Sequence, residues 1–89
     1  MPTTAADDAV QALRALAVEH LEVSAERLQA STLLAEDLAV DSLALTELAM
    51  ALEDRTQVVV PDDVLADLQT WGELEQVVRT RVDAGPGGA

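Results

Sequence analysis

The 89-residue chain contains no cysteine. Disulfides, thiolate metal sites and thiol chemistry by its own side chains are therefore excluded. Lysine, isoleucine, asparagine, phenylalanine and tyrosine are also absent, and Trp71 is the sole aromatic residue. The core must come from Leu, Val and Ala, and Leu and Ala favour helices. Avoidance of residues with AT-rich codons points to a GC-rich genome. With lysine gone, five arginines face 17 acids, and the net charge is −12. Such a surface repels phosphate backbones and anionic lipid, so neither nucleic acid nor a membrane is an expected partner. It attracts basic protein patches, an attraction that salt weakens; the plainer alternative is that the charge only keeps the protein in solution. No apolar run approaches membrane-spanning length. The opening MPTTAADDAV lacks the basic-then-apolar pattern of a secretion signal, so the expected location is the cytoplasm. Glycine-rich phosphate loops, repeats and calcium-loop spacing of acids are all missing. No metal site is expected.

What is present is periodic. Val10, Leu13, Leu16, Ala17 and Leu21 recur at helical spacing behind Asp7 and Asp8, whose charges suit the positive end of a helix. They predict a first helix over about 7–21. His20 sits at the edge of its apolar face near the end, where packing or a favourable C-terminal charge outweighs a role as ligand or base. Residues 22–40 follow no strict period. They predict a long loop pinned by Val23, Leu28, Leu33, Leu34 and Leu38, and loops of this length are often functional. A second helix is predicted from about Asp41 to Asp54, with Leu45, Leu48, Ala49 and Leu52 facing inward. The run VVVP ends it, because the residue before Pro61 prefers extended backbone; 56–60 reads as an extended loop burying valines. Pro61, Asp62 and Asp63 suit a helix start and predict a short third helix over about 62–68. Thr70 and Glu73 have the spacing of a capping box, predicting a fourth helix over about 71–83 with Leu74, Val77, Val78 and Val82 inward. The expected architecture is an all-α four-helix domain over 7–83, with flexible ends at 1–6 and 84–89.

No catalytic constellation stands out, and a chain this small leaves little room for a substrate pocket. The second helix carries more information. At about 100° per residue, Leu43, Glu47, Met50 and Asp54 share the face opposite the core stripe. Apolar anchors with an acidic rim fit a protein-docking surface; isolated exposed apolar residues are equally common without any such role. Ser42 opens the helix behind Asp41. Both residue types are good helix caps, and that is one reading of Ser42. The other is that a phosphate ester on Ser42 lies at the positive end of the helix, where an anion is stabilised.

The stretch EDLAVDSLALTELAMALED, residues 36–54, resembles the modification-site region of acyl carrier proteins. Its elements are Glu36-Asp37-Leu38, Asp41-Ser42-Leu43, Glu47-Leu48 and Met50-Ala51-Leu52-Glu53. The likeness runs on through VVVPDD and back to HLEVSAERL, covering roughly 8–82. The resemblance implies a right-handed four-helix bundle with a short third helix. It implies that Ser42 accepts 4′-phosphopantetheine from coenzyme A through a separate magnesium-dependent phosphopantetheinyl transferase, and that the chain is a monomeric carrier and not an enzyme. It also implies a partner surface of Asp41, Leu43, Glu47, Met50, Glu53 and Asp54, extended by Val60 and Asp63, facing acyltransferase, ketosynthase or other acyl-processing enzymes. An imported thiol on the arm fits the lack of cysteine. Two departures from the family pattern stand out. Ala39 replaces a glycine; since a glycine at positive φ is costly to replace, the loop is expected to take a different shape. Thr56 replaces a phenylalanine, and Trp71 is the candidate to make up the lost bulk.

The site Leu38-Ala39-Val40-Asp41-Ser42-Leu43 differs from the Gly-Gly-His/Asp-Ser-Leu type of peptidyl carriers. The expectation is a free-standing polyketide carrier. A carrier of fatty-acid synthesis ranks second and a carrier for an amino-acid or aryl starter third. A helical interaction module with Ser42 as a simple cap is the competing class.

Overall fold

The computed structural model describes residues 5–84. They form α1 (Ala5–Leu21), a one-turn 3₁₀ helix (Ala25–Arg27), α2 (Ser42–Thr56), α3 (Asp62–Ala66) and α4 (Trp71–Ala84). The only β pairing among the described residues is an isolated antiparallel bridge between Leu33 and Thr70. α1 packs against both α2 and α4, and α3 packs against α2. One cluster of buried Leu, Val, Ala and Trp side chains fills the space between them.

Helix limits differ from the periodicity at several ends. α1 starts at Ala5, and Ala6 is buried beside Ala9 and Val10, so the inward stripe runs one turn further back than expected. Residues 5 and 6 are thus helical and not loose; residues 1–4 and 85–89 of the expected flexible ends lie outside the described residues. α3 stops at Ala66, leaving Leu68 in the turn that follows. α2 runs on to Thr56, and its end is built from side chain and backbone together. The Thr56 hydroxyl donates to the Leu52 carbonyl at 2.8 Å and accepts from the Val58 N–H at 3.2 Å. Gln57, at φ 66°, turns its N–H back onto the Glu53 carbonyl, the left-handed cap that usually selects glycine or asparagine. Thr56 therefore closes the helix where the family pattern has a bulky aromatic.

The capping box forms as expected. The Thr70 hydroxyl accepts from the Glu73 N–H at 3.1 Å, and the Glu73 carboxylate accepts from the N–H groups of Thr70 and Gln69 at 3.0 and 2.7 Å. Trp71, the next residue, is fully buried and is the largest such side chain among the described residues. Its indole N–H donates to the Glu75 carboxylate. Glu75 also accepts from Arg14 of α1, whose guanidinium reaches the Leu28 and Ala25 carbonyls as well. One arginine thus ties α1, α4 and the start of the long loop together. A second ion pair, Arg79 to Asp7 at 2.7 Å, joins α4 to the start of α1. Both of its partners are substantially exposed, so it contributes about 0–1 kcal/mol.

The long loop is sewn onto the α3–α4 connection. Leu34 N–H donates to the Gln69 carbonyl at 2.9 Å, Trp71 N–H to Thr32 at 2.8 Å and Gly72 N–H to Ala30 at 3.1 Å. This approach needs a glycine: a Cβ at Gly72 would lie 2.8 Å from the Ala30 carbonyl oxygen. The loop also keeps the backbone shape that the substitution at Ala39 was expected to change. Ala39 sits at φ 56°. The Val40 N–H bonds the Leu34 carbonyl at 2.8 Å, while Leu38 and Val40 on either side are buried. These contacts hold an alanine in a conformation that costs about 1–2 kcal/mol.

Candidate functional site

Ser42 is the first residue of α2, and it is exposed. The capping role falls to Asp41, whose carboxylate accepts from the Ala44 N–H at 2.8 Å while its carbonyl accepts from Leu45 N–H at 3.0 Å. The side chain of Ser42 makes no hydrogen bond within the described residues. The reading of Ser42 as the cap is therefore wrong: the neighbouring aspartate does that work. The N–H groups of Ser42 and Leu43 have no acceptor within the helix. They lie at the positive end of a 15-residue helix, which favours an anion. An anionic ester at the start of α2 would be favoured by the helix dipole and opposed by the carboxylates of Asp41, Glu36 and Asp62, which line the same cleft as Ser42.

The two faces of α2 separate as the spacing predicts. Leu45, Leu48 and Leu52 are buried, whereas Leu43 is 65% and Met50 62% exposed. Glu47, Glu53, Asp54 and Asp41 are exposed, as is Asp63 at the start of α3. These residues make an exposed set of five carboxylates and two apolar side chains. Val60 does not belong to it. It is 7% exposed and packs in the core, while Val59 is 52% exposed. Backbone extended from Val58 to Val60 alternates its side chains, and three identical valines hide which of them points inward. Val59 is the exposed residue that sequence reasoning missed.

A cleft of about 610 Å³ opens beside Ser42. Leu33, Leu34, Ala35 and Glu36 of the long loop form one wall, and Asp62, Leu65, Ala66 and Gln69 form the other. Leu45 and Thr46 of α2 lie between them. No basic side chain lines it. Deeper in, the space among Leu13, Leu48, Leu52, Val60 and Leu74 has no room for a water molecule. No group of acids and histidine among the described residues could hold a metal ion, and no helix there is long and apolar enough to cross a membrane. The Glu73 carboxyl is perturbed. It is held below its usual range by the N–H groups of Gln69 and Thr70 at the start of α4.

The family described as the phosphopantetheine attachment site matches residues 11–78. An acyl carrier protein of Phenylobacterium zucineum (strain HLK1) is 31% identical over 77 residues, covering 86% of this chain and 98% of that protein. The chain belongs to the acyl carrier protein family. Acyl carrier proteins are carriers and not enzymes. The prosthetic group of the family is a covalently attached 4′-phosphopantetheine. It supplies the thiol that this cysteine-free chain lacks. Membership also implies work with a phosphopantetheinyl transferase and with acyl-processing enzymes.

Proposed function

We propose that Ser42 anchors the 4′-phosphopantetheine arm and that the acidic face of α2 presents the arm to partner enzymes. The observation that carries this reading is the division of roles at the helix start: Asp41 caps α2, and the Ser42 hydroxyl stays exposed and unbonded. In this reading Leu43 and Met50 are the apolar anchors, and Asp41, Glu47, Glu53, Asp54 and Asp63 are the rim that meets basic patches. Val59 joins them in place of Val60. The carrier domain comprises the helical residues, and the protein works in the cytoplasm.

The test is modification in solution. Incubation with coenzyme A, magnesium and a broad-specificity transferase should raise the intact mass by one phosphopantetheinyl group. Ser42→Ala should abolish the gain and leave the helical circular dichroism unchanged. A mass gain that survives Ser42→Ala would move the anchor elsewhere.

For the pathway we propose polyketide assembly, with acyltransferase and ketosynthase as the partners. Ala39 and Thr56, which depart from the fatty-acid pattern, support it. The loaded chain should then be a better acyl donor to a polyketide ketosynthase than to a condensing enzyme of fatty-acid synthesis. The reverse order would assign it to the latter.

A further inference from the structure

The wall of the cleft nearest Ser42 is held mainly by hydrogen bonds within the long loop itself. Its two ends are anchored. Leu34 is bonded to Gln69 and Leu33 is bridged to Thr70, while Asp41 is fixed by the start of α2. Between them, the backbone N–H groups of Asp37, Leu38 and Val40 bond only to Leu33 and Leu34, at 3.0, 3.2 and 2.8 Å. The Asp37 carboxylate also accepts from the Leu33 N–H at 2.8 Å, and beyond Leu33 and Leu34 the segment is tied by the Arg27 guanidinium on the Asp37 carbonyl at 2.7 Å, from an exposed side chain. Leu38 and Val40 hold it down by burial. Ala39, between these two plugs, is exposed and at φ 56°.

We propose that residues 35–40 open as a local unit, with Ala39 as its strained hinge, and that this opening widens the cleft beside Ser42. In the closed form Ala39 bears the left-handed penalty of an L-residue; in the open form its backbone returns to ordinary values and the penalty disappears. Local openings of this kind cost less than global unfolding and fall where backbone bonds are few and exposed. The penalty corresponds to roughly a tenfold bias toward opening. Glycine at the same position lacks the penalty but gains freedom when released, worth roughly threefold in the other direction. The first effect is the larger, so glycine should favour the closed form roughly threefold. The Cβ of Ala39 is thus the element that sets how often the wall opens. In the carrier reading, the opened wall is what admits the tethered group to the cleft.

Native-state hydrogen exchange on the unmodified chain tests this without relying on the arm, so it can fail while the mass experiment succeeds. The amides of Asp37, Leu38 and Val40 should exchange faster than those of Leu48 and Leu52, with little dependence on added denaturant. Ala39→Gly should slow those three roughly threefold and leave amides outside the segment, such as Leu68, unchanged. Ala39→Val should speed them, because a β-branched residue is worse still at positive φ. The proposal is overturned if the three amides exchange at the rate and denaturant dependence of Leu48 and Leu52, or if they ignore both substitutions.

Discussion

Trp71 and Glu75 lie one turn apart on α4, and the indole N–H of the first donates to the carboxylate of the second. The same carboxylate oxygen receives Arg14 at 2.8 Å. Burial of the one aromatic ring is thus coupled to the ion pair that holds α1 and the long loop. Trp71→Phe keeps most of the apolar volume but leaves a smaller ring and removes the donor. It should cost about 1–3 kcal/mol, the sum of a lost hydrogen bond and a partly emptied site. The fall in Tm, followed by circular dichroism, should be about 5–20 °C for a domain of this size.

Asp41 caps α2 and also carries charge on the proposed docking face, and two substitutions separate these roles. Asp41→Ala removes the bond to Ala44 N–H and should cost about 1 kcal/mol. Asp41→Asn keeps a capping oxygen and should melt within about 0.5 kcal/mol of the parent. If charge at this position matters to the transferase, both variants should be modified more slowly. Loss of rate in Asp41→Ala alone would assign the effect to the helix start.

Glu73 links stability to acid. Its carboxyl is held below its usual range by the N–H groups of Gln69 and Thr70. The folded state therefore favours the ionised form more than the unfolded chain does. That contribution is complete above the unfolded carboxyl value and disappears as pH falls through the lower, folded value. Glu73→Gln should lose it at every pH, so the denaturation midpoints of variant and parent should converge as the solution is acidified. A gap that stays constant from neutral to strongly acid pH would contradict this.

Charge reversal on the outer face of α2 tests docking. Glu47→Arg and Glu53→Arg should each weaken binding to the phosphopantetheinyl transferase about two- to fivefold in low salt, as expected for exposed rim charges. The difference should shrink at high ionic strength, where the screening length falls to about 3 Å. Titration calorimetry at two salt concentrations reads both effects.

The stripes of the helices were legible because burial follows a period of 3.6, and Leu45, Leu48 and Leu52 lie inside as that period requires. The capping box was legible because its partners are three residues apart. Other features depend on chain distant in sequence. Arg14 reaches carbonyls 11 and 14 residues away. Gly72 is needed because Ala30 approaches it. The left-handed turn at Ala39 runs against local preference and is imposed by Leu38 and Val40 seating in the core. At the site, Asp41 and Ser42 are both good caps, and composition could not say which one caps. Val59 and Val60 are the same residue type, so only the phase of the extended segment decides which is exposed.

Because Asp41 secures the helix start alone, the Ser42 oxygen has no share in holding the fold together. Substituting or derivatising that oxygen breaks no internal bond. In the carrier reading, attachment at Ser42 therefore removes no hydrogen bond from the native chain. The neighbouring carboxylate keeps the cap while the serine oxygen is left for other use.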